Sequence, residues 1–154
     1  VNTELEHDVE ALWTLLFDIV TEAEKRLAVH MAAHRLTPPQ FYVLKTLTEH
    51  SGRCQIGQIA REHHLTNATM TGLIKRLENT EEPLVRRERA LEDGRSVDVI
   101  LTEAGAIRYQ AVQDSLMEQA RTVLSLLSQE ERQQIIIKLG MYFKLFTEQF
   151  PLEH

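Results

Sequence analysis

Cysteine is all but missing from this 154-residue chain: Cys54 stands alone, so no internal disulfide can form. A reducing compartment, the cytoplasm, is the setting that fits. No apolar run approaches the ~20 residues of a membrane span, and the acidic N-terminus lacks a signal-peptide pattern. Catalytic signatures are missing too. There is no nucleophile elbow, no phosphate-binding glycine loop and no HExxH, so nothing points to an enzyme or to a cofactor. The Glu130-Glu131 pair falls at a helix start, where the helix dipole accounts for it. Internal repeats, low-complexity segments and flexible linkers are also lacking.

What is present is an ordinary globular composition, 43% hydrophobic and 26% charged, on a chain long enough for one domain with a core. The net charge of -6 does not favour nucleic acid, but it is unevenly spread. Residues 1–36 carry three basic and seven acidic groups, residues 37–65 three and two, residues 66–102 six and seven, and residues 103–154 five and seven. Much of the negative charge therefore lies outside the middle of the chain. The closing Leu152-Glu153-His154 looks like the start of an expression tag rather than part of the fold.

Residues 4–32 repeat apolar side chains at helical spacing (Leu5, Val9, Leu12, Trp13, Leu16, Ile19, Val20, Ala23, Leu27), which predicts a long amphipathic helix. Pro38 and Pro39 break it and suit the first turn of a second helix, with Phe41, Leu44, Leu47 and Thr48 as its buried stripe. Ser51-Gly52 ends that helix. A short helix follows over Ile56–His64 with Ile56, Ile59 and Ala60 inward. Thr66 is a good N-cap for the next, in which Met70, Leu73, Ile74 and Leu77 share a face. After the acidic turn Asn79–Pro83 comes a hairpin with an Asp93-Gly94 tip and an alternating second strand, Val97, Val99, Leu101. Thr102 starts a helix to about Leu127, with Ile107, Ala111, Leu116, Ala120, Val123 and Leu124 buried. Ser128-Gln-Glu-Glu131 is a capping box for a last helix that is very oily, with Ile135, Leu139, Tyr142, Phe143, Phe146 and Phe150. Large apolar patches mark interfaces, so this helix predicts an obligate homodimer burying more than ~2,000 Å².

The stretch LTNATMTGLIKRLE (Leu65–Glu78) then LVRRERALEDGRSVDVILTEAG (Leu84–Gly105) carries most of the functional signal. The helix has an oily inner face and an outer face of Ala68, Gly72 and Lys75, flanked by Thr69, Thr71 and Arg76, with Asn67 in the first turn. Small residues permit close approach to base edges. Asn pairs bidentately with adenine, Ala and Thr methyls meet the thymine methyl, and Lys75 and Arg76 suit phosphate or guanine. Beside it, the hairpin carries Arg86, Arg87, Arg89 and Arg95, and arginine is the residue that enters a narrow minor groove. Asp93 is placed to brace Arg95 across the turn. A merely solvated helix face and a solvated, charge-diluted hairpin (Glu88, Glu92, Asp98) are the alternatives. The pairing of the two elements favours a winged helix-turn-helix: mainly α with a small β-hairpin wing.

The chain resembles the MarR family of winged-helix regulators. The landmarks are Gln58-Ile-Ala60, LTNATMTGLIKRLE, the Asp93-x-Arg95 pair and Leu101-Thr-Glu-Ala-Gly105. The resemblance implies dimerisation helices at 4–34 and 103–150 around a DNA-binding lobe at 38–102. It implies a homodimer whose wings straddle duplex DNA, and repression relieved by a small molecule, metal or oxidant. Asn67, Ala68, Thr69, Thr71, Lys75, Arg76, Arg87, Arg89 and Arg95 are then the DNA-binding candidates, on a pseudo-palindromic operator. The chain departs from the pattern at Gly72 and Gly94, where arginine is common. It departs also at His64, where glycine is frequent, and in the longer, acidic Asn79–Pro83 turn.

The effector is less legible. Oxidant-sensing relatives use a cysteine in the first helix, and this chain has none there; Cys54 has only Arg53 as a local helper. His30 and His34, four apart, suit two ligands of one metal, but zinc wants three or four. Favourable placement at a helix C-terminus explains the pair as well, and His7, His50, His63 and His64 complete no motif. The resemblance places ligands between the dimerisation helices and the DNA-binding lobe. Trp13, Phe17, His30, His34, Phe41, Tyr42, Arg108 and Tyr109 are the candidates there, for an aromatic or anionic molecule. Two other readings stay open: a winged-helix protein-interaction module that binds no DNA, and a metal-responsive repressor.

Overall fold

The computed structural model describes residues 2–90 and 94–152. Two compact units are formed, Val1–Leu116 and Met117–His154. In the first, α1 (Thr3–Ala33) is capped by the Asn2 side chain, which accepts from Leu5 N, and closes at His34. Of its 31 residues only Met31 is buried, and the apolar stripe from Leu5 to Val20 is largely exposed. A tight link through Arg35, in the left-handed region at φ 57°, leads to α2 (Pro38–Glu49).

Thr37 and Gln40 start α2 with a reciprocal capping box: Gln40 N donates to Thr37 Oγ1 at 3.4 Å and Thr37 N to Gln40 Oε1 at 3.0 Å. Pro38 and Pro39 occupy the first turn, where a missing N–H costs nothing. The buried face is Phe41, Val43, Leu44, Thr46 and Leu47. It is broader than the expected stripe and turned toward Val43 and Leu47, which leaves Thr48 exposed with its hydroxyl bonded back to Leu44 O at 2.8 Å.

Ser51 and Gly52, both at positive φ, turn the chain into a strand that periodicity does not predict, β1 (Arg53–Gln55). It pairs antiparallel with β3 (Val97–Leu101), which pairs antiparallel with β2 (Val85–Arg89). The sheet order is β1-β3-β2. Between β1 and β2 lie α3 (Ile56–Glu62) and α4 (Asn67–Glu78), joined through His63 and His64. His64 takes the left-handed φ of 54°, the reason glycine suits this turn.

The core is assembled from α2, α3, α4 and the sheet: Leu44, Leu47, Ile59, Met70, Ile74, Leu77, Leu84, Val85 and Val99 are completely enclosed. At roughly 1.5–3 kcal/mol per buried large side chain, this cluster fixes the orientation of α4. Asp98 is the unexpected member of the buried set.

After β3, Thr102 caps α5 (Glu103–Leu124) by accepting from Gly105 N at 3.1 Å. Its buried residues are Gly105 and Val112, two turns apart on one face. That corrects the expected stripe. Ile107 and Val123 are exposed, Ala120 is exposed, and Ala111, Leu116 and Leu124 are half-buried, because the face toward the core runs through 105 and 112 rather than through 107. In the second unit, Ser128 and Glu131 form the capping box of α6 (Gln129–Gln149). No α6 residue is buried, and Tyr142, Phe146 and Phe150 line up with ring centroids 6.1 and 5.4 Å apart.

Candidate nucleic-acid interface

The interface begins with why α4 presents the face it does. Met70, Leu73, Ile74 and Leu77 are all buried, as their spacing predicts, so the opposite face must look out. Thr66 Oγ1 accepts from Thr69 N at 3.2 Å and donates to Thr69 Oγ1 at 2.9 Å, fixing the first turn. Asn67, Ala68, Thr69, Lys75 and Arg76 are exposed; Thr71 and Gly72 are half-buried. The Thr71 hydroxyl donates to Asn67 O at 2.8 Å, so it faces a base only as an acceptor or through its methyl. A Cβ at Gly72 meets nothing within 4 Å, so packing does not demand glycine there.

The wing is more internally paired than its sequence suggests. Arg87 is ion-paired with Glu78 at the end of α4, tying β2 to that helix. Arg86 is paired with Glu88. Arg53 of β1 reaches Glu88 and Asp98. Arg89 and Arg95 are exposed at the far end of the hairpin, which Ala90 N→Ser96 O at 2.8 Å holds closed. Gly94 has φ 65°, as the tip requires. Asp93, the expected brace, lies outside the described residues.

The candidate ligand residues fall into separate places. Trp13 and Phe17 lie with tilted rings 6.0 Å apart on an exposed stretch of α1. Phe41, buried, meets Tyr42 at 5.6 Å and Tyr109 at 5.3 Å. His30 and His34 are half-buried at the end of α1, where His34 N donates to His30 O at 3.3 Å. Arg108 lines a cavity of about 450 Å³ with Arg35, Thr80, Glu81 and Glu82. Tyr42 lines another of about 430 Å³ with Lys45, Thr46, Glu49, Glu62 and His63. Among the described residues no three His, Cys, Asp or Glu side chains are grouped to hold a metal. Sequence reading missed the polar tie between α2 and α3: His63 Nε2 and Thr46 Oγ1 are hydrogen-bonded at 2.7 Å, and His50 meets Glu62 at 3.0 Å. Burial holds the His63 imidazole below its usual range, with Glu62 and Glu49 opposing.

The model of the MarR family matches residues 36–97, from the end of the first link to the start of β3. The organic hydroperoxide resistance transcriptional regulator of Bacillus subtilis (strain 168) is 29% identical over 133 residues, 86% of either chain. A solved MarR family protein from Bacillus stearothermophilus superposes with a TM-score of 0.76 at 28% identity, over 94% of this chain and 96% of that one. A MepR-like protein, solved in complex with pseudoligands, is 30% identical over 94% of this chain and 98% of that one, with a TM-score of 0.53. The chain belongs to the MarR family. This MarR protein is accordingly a DNA-binding transcriptional regulator with a winged helix-turn-helix fold. Its single cysteine, Cys54, is buried in β1, and burial pushes the thiol up, with Glu62 and Asp98 adding to the shift. A peroxide sensor needs the thiolate, and this site disfavours it.

Proposed function

We propose that this MarR protein acts in the cytoplasm as a homodimeric repressor, not an enzyme, and that a small aromatic or anionic ligand releases it from a pseudo-palindromic operator. One observation carries the DNA-reading assignment: the inner face of α4 is wholly buried while Asn67, Ala68, Thr69 and Lys75 stand exposed together on the outside. The helix enters the major groove N-terminus first, with Asn67, Thr69 and Thr71 at base edges and Lys75 and Arg76 at phosphate or guanine. Arg89 and Arg95 take the minor groove and backbone. Arg87 serves the same surface indirectly, through Glu78. The apolar exposure of α1 and α6 supports the dimer, with residues 4–34 and 103–150 as its helices.

Effector recognition is assigned to the cavity beside Arg108, where Arg35 and Arg108 supply two cations and Glu81 and Glu82 two carboxylates from different segments. Such a ligand weakens DNA binding by preferring a dimer whose recognition helices are spaced away from the ~34–36 Å of one helical turn.

Titration of a duplex selected from a random pool tests the reading. Asn67→Ala and Thr71→Ala are expected to cost about 1–3 kcal/mol and to relax sequence preference. Arg95→Ala is expected to weaken specific and non-specific duplexes alike and to flatten the salt dependence. Unchanged operator binding by Asn67→Ala and Arg95→Ala together moves the interface off this face, and a monomer in sedimentation at micromolar concentration removes the dimer.

A further inference from the structure

The sheet places a like-charge pair at the root of the wing. Glu88 and Asp98 are direct cross-strand partners in the β2–β3 register, so their carboxylates share one face of the sheet. Like charges directly opposite one another destabilise a ladder. Asp98 is also buried, at 8% exposure, where an unpaired carboxylate is costly.

Arg53 resolves both problems from the third strand. It stands opposite Ile100 in the β1–β3 register, two residues from Asp98 and on the same face. That diagonal is within reach of a long side chain. Its Nε donates to Asp98 Oδ2 at 2.7 Å and its Nη1 to Glu88 Oε2 at 3.1 Å. Arg86 meets the other oxygen of Glu88. The guanidinium thus spans all three strands, and its Nη2 is enclosed with no partner among the described residues. A fork that makes two directed bonds at once is what arginine supplies and lysine does not.

We infer that Arg53 is a positioning residue for DNA binding: it neutralises the Glu88–Asp98 pair and locks the root of the wing, so that Arg89 and Arg95 are held at the DNA. The inference rests on the wing-contact reading above. Arg53 itself touches no phosphate. Removing it takes the Nε donor from the buried Asp98 and leaves Glu88 to Arg86, on a hairpin that must approach a polyanion, and it removes the side-chain tie between β1 and the hairpin.

Full-length protein carrying Arg53→Met is titrated with the selected duplex across a series of salt concentrations, beside Arg89→Ala and the triple variant Arg53→Met/Glu88→Gln/Asp98→Asn. Arg53→Met is expected to weaken binding roughly tenfold with the salt slope of wild type, because no phosphate contact is lost. The triple variant, which deletes the repulsion along with its remedy, is expected to recover to within about threefold of wild type. Amide hydrogen exchange in β3 is expected to accelerate in Arg53→Met and to recover in the triple variant. A salt slope lowered by about 0.9 makes Arg53 a direct phosphate ligand and overturns the inference, as does a triple variant no better than Arg53→Met. If Arg53→Met does not fold, Arg53→Lys, which keeps the charge without the fork, is expected to bind about threefold more weakly. Wild-type affinity for Arg53→Lys overturns the inference. The wing reading is separable: it fails if Arg89→Ala leaves affinity unchanged, whereas a damaging Arg89→Ala beside a harmless Arg53→Met removes only the role given to Arg53.

Discussion

Alanine at Gly105 would place its Cβ 2.1 Å from the Leu84 carbonyl oxygen and 2.8 Å from Leu101 Cδ1. Carbon atoms rest against their neighbours at about 3.5 Å, so the first turn of α5 has to retreat by roughly that shortfall. Retreat is resisted on three sides. Thr102 Oγ1 donates to Pro83 O at 2.6 Å, Gly105 N donates to Thr102 Oγ1 at 3.1 Å, and Thr102 N donates to Leu84 O at 3.2 Å. Overpacking against backbone costs up to ~3 kcal/mol, and loss of the Thr102 cap about 1 kcal/mol. Alanine's better helix propensity returns about 1 kcal/mol. The net expectation is a loss of about 3 kcal/mol, a fall in Tm of roughly 6–12 °C for a chain of this size. Gly72 is the internal control. It is helical, and a Cβ there meets nothing within 4 Å. Alanine there is expected to gain up to ~1 kcal/mol. Urea and thermal unfolding followed by circular dichroism, at one protein concentration because a dimer's stability depends on it, read both. Gly105→Ala unfolding with wild type, or both substitutions moving in the same direction, refutes the packing argument.

Two further outcomes follow from the titrating groups. His63 is held below its usual value by burial, so the folded state binds fewer protons than the unfolded chain. Its contribution to stability is complete above the ordinary value of 6.5 and is lost as pH falls through the lowered folded value; His63→Gln, which keeps a partner for Thr46, is expected to flatten the decline of urea midpoints over that window. Cys54 is pushed up by burial, so its thiol is expected to label with a disulfide reagent at neutral pH only after denaturation, and an organic hydroperoxide is expected to leave duplex affinity unchanged. Rapid stoichiometric labelling of the native protein contradicts the second expectation.

Helix period carried most of the fold, and the reason is visible in α4. Four apolar residues spaced three, one and three fit only one rotation of a helix, and all four are buried. Capping chemistry is equally local, which is why Thr66, Ser128 and the prolines of α2 mark their helices from sequence. β1 escaped because three residues give no alternation to measure; it exists through its pairing with β3, a contact 45 residues away. The α5 stripe failed for a related reason. Apolar spacing identifies a face, but not whether the surface it meets lies in the same protomer, and Ile107 and Val123 stand exposed while Gly105, with no side chain, is buried.

The charged residues of the wing were harder still, because a sequence counts charges without pairing them. Arg86, Arg87, Arg89 and Arg95 look equivalent along the chain, yet Arg87 is bound to Glu78 at the end of α4 and Arg86 to Glu88 in its own strand, while Arg89 and Arg95 are exposed at the far end of the hairpin. Asp98 reads as a diluting surface charge, yet it is buried against Arg53. Only the Asp98 reassignment follows from strand register, which sets it opposite Glu88 and diagonal to Arg53; Arg86 meets a neighbour in its own strand and Arg87 meets the end of α4, contacts that no ladder predicts. On the proposed reading an acidic protein reaches a polyanion by arrangement rather than by total: Asp98 and Glu88 are matched by Arg53 and Arg86, and Lys75, Arg76, Arg89 and Arg95 are exposed on α4 and at the far end of the hairpin. Net charge predicts this behaviour poorly because phosphate contacts are made one side chain at a time.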